Sequence, residues 1–273
     1  ILKLPTLDGY LTGLTLTAFG LPLFCVPSWF ILMIFSVELV HYAAFRLVKS
    51  SNAKILLGAL VFYIAGYVLN LYVEIFNPMK GRVVGWNYLF IHEAITMYAF
   101  YLLGIFLRRN PQLMQKLPAG WALAGACLSL LIVLLTFRLN TGPFNFNYFN
   151  SVVIMFSSHG SFIWFPITAV AGSLFILFLA RCTAPNATIV WMGQNTLTLI
   201  FVNGVFYHYI NPGLAKWAVD SLPGSFFSIL QVGCVVTIVS LALSIPFLYV
   251  FERFLPQLAG KPGLNGPLLR NLT

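Results

Sequence analysis

The residues with the clearest chemical potential are acids and histidines inside apolar segments. Glu38 and His41 are three residues apart, so they share one face of a helix. His92 and Glu93 are adjacent near the start of another apolar run. A carboxylate beside imidazole suits general acid–base chemistry, because it orients the ring and supports its charge. We predict these four as catalytic candidates; the alternatives are a packing pair at Glu38 and His41, and solvated interfacial groups at His92 and Glu93.

The segment from Ile189 to His208 is apolar enough to enter a bilayer, yet it carries amide and hydroxyl groups in its body. Amides inside a membrane helix indicate contacts that apolar packing alone rarely requires. We therefore predict a substrate-binding set from the polar and aromatic residues of this segment, together with one histidine near the outer end of another span. The set is Trp191, Asn195, Thr196, Asn203, His208 and His159.

Arginines mark the ends of several apolar runs, at Arg46, Arg108, Arg109, Arg181 and Arg253. Membrane orientation alone explains such positions. Guanidinium groups also bind phosphate through paired donors, so the same set is the predicted donor-phosphate site. The four cysteines lack metal-ligand spacing, and no phosphate-loop, dinucleotide-binding or serine-nucleophile motif occurs. We predict neither a metal site nor a bound cofactor.

The loop from Arg138 to Asn150 mixes aromatic rings with amides. Carbohydrate sites use this mixture, with ring faces against sugar C–H groups and amides against hydroxyls. An aromatic belt at the membrane interface has the same composition, and both interpretations stay open.

Composition decides the class of protein that must position these groups. The chain has 273 residues, of which 60% are hydrophobic and 8% charged, with a mean hydropathy of +0.90. Soluble domains are about 25% charged. An all-α, polytopic transmembrane helical bundle is the class that fits, with membrane lipid as its surroundings. The net charge of +9 lies in short loops, where it sets orientation, and does not suggest nucleic acid.

About 20 apolar residues cross the hydrocarbon core of a bilayer. Seven segments qualify, and we predict them as spans of a single domain covering 1–273: 28–48, 54–75, 87–107, 117–137, 161–180, 188–208 and 226–250. The first 27 residues, broken by Pro22 and Pro27, and the stretch from Asn140 to Gly160 are expected at the interface or re-entering the membrane.

The basic residues divide unevenly between the two predicted sides, ten against five. The positive-inside rule places the richer side in the cytoplasm, so the C-terminus is inside and Ile1 is outside. A start outside the membrane leads us to expect an odd number of helices before Ile1.

Several segments together resemble a known family. They are Pro27–Phe35, Tyr98–Arg109, Trp191–Leu197, Phe251–Phe254 and Gly260–Gly263. In order and spacing they are similar to acyltransferase family 3, the multi-pass membrane O-acyltransferases of bacteria, and within it to members that modify periplasmic glucans or exported polysaccharides. The resemblance covers most of the chain.

The resemblance implies a fold of about ten helices, of which this chain would be the C-terminal portion, with three helices before Ile1. It also implies an Arg-x10-His motif on the first helix, which this sequence lacks, so the chain is expected to be truncated or inactive. Asn203 stands where the family commonly has histidine. Because an amide does not titrate, a positioning role at Asn203 survives and a proton-transfer role does not.

The implied function is that of a bacterial inner-membrane O-acyltransferase. It would move an acetyl or succinyl group from cytoplasmic acyl-CoA, the donor substrate, to a hydroxyl of an extracytoplasmic glycan or polysaccharide. One alternative is a transporter or flippase for glycan or solute, because polar groups at mid-depth are also typical of transporters. Another is a non-catalytic membrane subunit with partners in a larger complex.

Overall fold

A computed structural model describes residues 7–18, 29–72, 88–142, 144–146, 149–156, 159–221, 225–257, 259, 261 and 263–268. Helices dominate these residues, which confirms the all-α class. Their bounds are α1 Leu7–Ala18, α2 Trp29–Val48, α3 Asn52–Tyr72, α4 Ile91–Arg109, α5 Gln112–Gln115, α6 Ala119–Thr136, α7 Trp164–Cys182, α8 Ala187–Gln194, α9 Thr196–Tyr209, α10 Asn211–Asp220 and α11 Phe226–Phe254.

Short elements complete the described chain. Single 3-10 turns cover Tyr88–Phe90 and Ile154–Phe156. The strands β1 Phe144–Phe146 and β2 Phe149–Ser151 form an antiparallel ribbon, with Asn145 opposite Asn150. This ribbon lies within the stretch that we predicted to be interfacial or re-entrant.

The chain divides into two compact units, and each is described by itself. One unit, Trp29–Ala184, contains α2 to α7 and is called the α2–α7 unit. The other contains α1 and the chain from Pro185 onward and is called the α8–α11 unit. The single-domain assignment stays a prediction.

Five of the described helices are long and apolar enough to cross a membrane. They are Trp29–Val48, Asn52–Leu71, Ala119–Thr136, Trp164–Cys182 and Leu230–Phe254. Each corresponds to one of the predicted spans, so the multi-pass membrane character of the chain is supported.

The other two predicted spans differ from simple apolar helices. The segment 87–107 corresponds to α4, which carries His92 and Glu93 in its first turns. The segment 188–208 is divided into α8 and α9, with Asn195 between them. The total of seven spans therefore stays a prediction.

Helix α4 packs against both α2 and α3. Its buried residues lie on several sides of the helix and include polar and apolar side chains: Glu93, Ala94, Thr96, Tyr98, Ala99 and Leu102. Helix α3 approaches α4 closely at Thr96, because Gly66 has no side chain. A Cβ atom at Gly66 would lie 2.6 Å from the Thr96 backbone nitrogen. Small residues at helix interfaces allow such close approach in membrane proteins.

Helices α6 and α7 form a second closely packed pair in the same unit. Ala122, Ala126 and Ser129 line the buried face of α6. The Thr136 and Thr168 hydroxyls are 2.8 Å apart, so one donates to the other between these two helices.

Basic residues gather at one end of the α2–α7 unit. The Arg109 guanidinium donates to the Lys49 carbonyl oxygen over 2.8 Å, and Arg181 donates to the Gln115 carbonyl oxygen over 3.0 Å. The first bond joins the end of α4 to the end of α2. The second joins the end of α7 to α5, which lies in the chain that connects α4 to α6. The count of basic residues on the two predicted sides led us to expect that these arginines share one end of the bundle. The inner-membrane location and the orientation of the termini stay predictions.

Replacing Gly66 by alanine should destabilise the packing of α3 on α4. The added methyl group meets backbone atoms of Thr96, which cannot move independently, and overpacking of this kind costs about 1–3 kcal/mol. Thermal unfolding of the purified protein in detergent measures the effect. Gly104→Ala is the matched control, because nothing lies within 4 Å of its added carbon. Equal unfolding temperatures for the two variants would contradict the described packing.

Candidate functional site

The first polar cluster lies toward the end of the α2–α7 unit opposite the basic residues. It comprises Asn70, Glu93, Thr96 and His159 and is called the histidine cluster. The Asn70 amide nitrogen donates to the Thr96 hydroxyl over 3.3 Å and lies 3.4 Å from His159 Nδ1. Glu93, one turn before Thr96 on α4, is fully buried, and His159 is 3% exposed. The cluster therefore places an acid, an amide and an imidazole inside an apolar bundle.

Two tyrosines of α3 hold the chain around His159. The Tyr67 hydroxyl donates to the Gly160 carbonyl oxygen over 2.8 Å, and the Tyr63 hydroxyl donates to the Phe162 carbonyl oxygen over 2.6 Å. Both phenols thus satisfy backbone oxygens that no helix hydrogen bond reaches. The result is a short non-helical segment fixed against the middle of α3.

Gly160 gives this segment its shape. Its φ is +69°, in the left-handed region that residues with a side chain rarely adopt. The neighbouring Ser161 backbone N–H donates to the Asn140 side-chain oxygen over 2.8 Å, and a Cβ atom at Gly160 would also strike Asn140. Glycine is therefore required where the chain turns to present His159.

The second polar cluster joins α2 to α4 and is called the tyrosine cluster. The Tyr101 hydroxyl donates to Glu38 Oε1 over 2.8 Å, and the Tyr98 hydroxyl lies 3.2 Å from His41 Nδ1. The His41 ring centroid is also 5.0 Å from that of Tyr101. Glu38 is exposed on the surface of the unit, whereas Tyr98 is fully buried. The prediction that Glu38 and His41 share a helix face is confirmed, since both contact α4.

The four predicted catalytic residues occupy two levels of the same bundle. Glu38 and His41 belong to the tyrosine cluster, Glu93 belongs to the histidine cluster, and His92 is partly buried in the first turn of α4. Glu93 and Tyr98 are five positions apart, which corresponds to a rise of about 8 Å along α4. The two clusters therefore lie at different heights on this helix and on different sides of it, with Thr96 toward α3 and Tyr98 toward α2.

The third polar cluster, in the α8–α11 unit, is called the Glu252 cluster. Trp191 Nε1 donates to Glu252 Oε2 over 3.2 Å, and Lys261 pairs with the other carboxylate oxygen. The Asn195 amide donates to the Trp191 carbonyl oxygen over 2.9 Å and is 1% exposed. Trp191 and Asn195, predicted as substrate-binding residues, are thus brought together around an acid that was not predicted.

The break between α8 and α9 is satisfied locally. The Asn195 backbone N–H bonds the Trp191 and Met192 carbonyl oxygens, each over 3.2 Å. The Thr196 hydroxyl donates to the Gly193 carbonyl oxygen over 2.8 Å. The polar residues inside this apolar segment therefore cap the end of α8, which explains why the predicted span 188–208 is interrupted.

The remaining predicted substrate-binding residues divide between the two units. Thr196 and Asn203 are exposed on α9. His208 belongs to α9, but its side chain lies outside the described residues. His159 belongs to the α2–α7 unit.

The predicted phosphate-binding arginines divide between the two units. Arg46, Arg108, Arg109 and Arg181 lie at the basic end of the α2–α7 unit, where all four are exposed. Arg253 lies in the last turn of α11, and its guanidinium donates to the Tyr249 hydroxyl over 2.9 Å. The exposed guanidinium groups of the first four leave donors available to a phosphate.

Several residues of these clusters were not predicted from the sequence: Asn70, Tyr98, Tyr101, Glu252 and Lys261. Asn70 interrupts an apolar run, and the rule that selected Asn195 would also have found it. Glu252 and Lys261 lie in segments quoted for the family resemblance, but nothing in the sequence indicated that they meet. The tyrosines gave no signal that distinguishes them from an aromatic packing face.

The aromatic loop from Arg138 to Asn150 is described only in part, and its side chains from 143 to 149 lie outside the described residues. The carbohydrate interpretation of this loop stays a prediction. Within the described ranges, no three His, Cys, Asp or Glu side chains are close enough to hold a metal ion. Comparison with protein-family models, curated proteins and solved structures finds no match to this chain.

Replacing Asn70 by leucine should destabilise the α2–α7 unit. The change keeps the side-chain size but removes the amide that bridges Thr96 to His159, and loss of a partner for buried polar groups costs about 1–3 kcal/mol. Thermal unfolding in detergent measures the loss. Asn203→Leu, at an exposed amide, is the matched control and should unfold close to the wild type. An Asn70→Leu protein as stable as this control would show that the bridge contributes little.

The ion pair of the Glu252 cluster should appear as a coupling energy. Glu252→Gln and Lys261→Met should each destabilise the chain, and the double variant should lose less than the sum of the two. The side chains are 22% and 36% exposed, so solvent screening limits the coupling to about 1 kcal/mol. Arg253→Gln, beside Glu252, is the control. Strictly additive losses in a double-mutant unfolding cycle would mean that the two charges do not interact.

Proposed function

We propose that this chain is a membrane-embedded O-acyltransferase. It moves an acyl group, acetyl or succinyl, from cytoplasmic acyl-CoA to a hydroxyl of an extracytoplasmic glycan. The observation that carries the proposal is the tyrosine cluster, where Glu38 and His41 stand side by side on an exposed face about halfway along α2. Ionisable groups at mid-depth in a membrane are rare and mark functional sites.

The two side chains match the two demands of the reaction. The acceptor hydroxyl oxygen attacks the thioester carbonyl carbon, and Glu38 accepts the hydroxyl proton. His41 donates a hydrogen bond to the carbonyl oxygen as it becomes negative. The carbon–sulfur bond then breaks, and Glu38 returns the proton to the departing thiolate. No group is consumed, and both residues are ready for the next substrate.

The basic end of the α2–α7 unit supports binding of the donor. Arg46 and Arg108 are exposed there and suit the phosphates of coenzyme A. Glu38 lies eight residues before Arg46 on α2, a rise of about 12 Å. An extended pantetheine arm covers that distance, so phosphates held at this end leave the thioester beside Glu38.

The histidine cluster supports binding of the acceptor. It lies toward the opposite end of the unit from the basic residues and supplies hydrogen-bonding groups of Asn70, Thr96 and His159 inside the bundle. Sugar hydroxyls both donate and accept hydrogen bonds, and such groups orient them. The multi-pass arrangement of about seven spans and the inner-membrane location belong to the same proposal, with glycan, lipid and membrane-complex subunits as partners.

Replacing Glu38 by glutamine should abolish most acyl transfer. Glutamine keeps the shape but cannot accept the hydroxyl proton, and loss of a general base lowers kcat about 100- to 10,000-fold. The assay follows labelled acetyl or succinyl groups from acyl-CoA onto periplasmic glucan, with purified full chain in proteoliposomes. Asp8→Asn removes an exposed carboxylate of α1 and should leave the rate unchanged. A Glu38→Gln protein as active as this control would overturn the role of Glu38.

A transporter or flippase is the second candidate, and the break between α8 and α9 favours it. Discontinuous helices with polar groups at the break line many transporter sites. The same proteoliposomes separate the candidates, since a transporter moves glycan without attaching label. Movement of unlabelled glycan with no labelled product would favour the transporter over the enzyme.

A non-catalytic subunit is the remaining alternative. It would be favoured by stable co-purification with partners and by transfer and transport activities that do not change when Glu38, His92 and Asn203 are replaced.

A further inference from the structure

We propose that Tyr98 and Tyr101 are positioning residues that determine which member of the catalytic pair accepts a proton and which donates a hydrogen bond. In this arrangement Tyr101 makes Glu38 an oriented proton acceptor, and Tyr98 makes His41 a hydrogen-bond donor. The inference rests on the proposed acyl transfer and assigns to α4 the control of a site whose reacting groups lie on α2.

Tyr101 orients Glu38 by occupying one of its two carboxylate oxygens. The 2.8 Å bond to Oε1 comes from a phenol on the neighbouring helix, so it fixes the rotation of the carboxylate relative to α4. Oε2 is then the oxygen turned to a substrate.

Tyr98 decides which nitrogen of His41 carries the proton. Tyr98 is fully buried, and among the described contacts its hydroxyl has His41 Nδ1 as its hydrogen-bond partner, at 3.2 Å. If Nδ1–H donated to the phenol oxygen, the phenol proton would have no acceptor in a buried place, which costs free energy. Tyr98 therefore donates to Nδ1. The neutral His41 ring then carries its proton on Nε2 and can donate from there.

Ring contacts hold the His41 assignment in place. The His41 ring contacts those of Phe45 and Tyr101, with centroid distances of 4.4 and 5.0 Å. Phe62 of α3 packs edge-on against Tyr98 at 4.7 Å. Rotation of His41 or Tyr98 would have to displace these rings, so the hydrogen-bond donor is preorganised before substrate binds.

The test compares Tyr101→Phe with Tyr42→Phe in the full chain. Tyr42 is one residue after His41 and 80% exposed, so it is a matched loss of a phenol from the same region. Tyr101→Phe should lower kcat about tenfold, the effect of one hydrogen bond to a charged group, and leave KM for acyl-CoA unchanged. Tyr42→Phe should change neither value.

A second measurement separates positioning from folding. In a Glu38→Gln background, Tyr101→Phe should cause no further loss under single-turnover conditions, because the carboxylate that it orients is gone. Tyr98→Phe should lower kcat in the same way if this variant folds. If it does not fold, Tyr101→Phe alone tests the inference, because Tyr101 is only partly buried. Additive losses, or a Tyr101→Phe protein equal to Tyr42→Phe, would overturn this inference alone. A wild-type chain that transfers no acyl group would overturn the proposed function and this inference with it.

Discussion

The constraint on which the structure depends is that polar side chains of α4 must find partners inside an apolar bundle. A buried polar group without a hydrogen-bond partner is costly, so neighbouring helices must supply one. Asn70 of α3 bonds Thr96, and Glu38 and His41 of α2 bond Tyr101 and Tyr98. These pairings decide which faces of α2 and α3 turn toward α4. The lack of a side chain at Gly66 then allows α3 to approach α4 closely enough for the Asn70 amide to reach Thr96.

This constraint also explains why the same helix suits the proposed chemistry. A hydrogen-bonded polar group in a low-dielectric bundle is held rigidly, because losing its partner is expensive. His159 is held in this way by the chain around it, and Tyr98 holds His41. Glu38 differs, since it is fixed by one bond yet exposed on the surface of its unit. A group that is both oriented and accessible is what the proposed acyl transfer needs from its proton acceptor.

Local sequence patterns predicted the parts of this structure that depend on local physics. Apolar length predicted the five helices able to cross a membrane, and helical periodicity predicted that Glu38 and His41 share a face. Pairings between distant residues were not predictable, because nothing local relates Asn70 to His159, 89 residues away, or Trp191 to Glu252. The interruption at Asn195 was not predicted either. Asn195 and Thr196, two polar residues of the predicted substrate-binding set, cap the end of α8. Their role in substrate binding stays a prediction.

Helix α4 lies inside the bundle, where its polar side chains meet protein rather than lipid. Labelling of the full chain in liposomes with a lipid-soluble photoactivatable diazirine, followed by peptide mass spectrometry, tests this placement directly. Helix α6 should be labelled heavily at its exposed residues Trp121 and Leu135, which are 71% and 65% exposed. The residues of α4 from Glu93 to Tyr101, which are all buried or half-buried, should be labelled sparsely. Labelling of these residues as dense as the labelling of α6 would contradict this placement of α4.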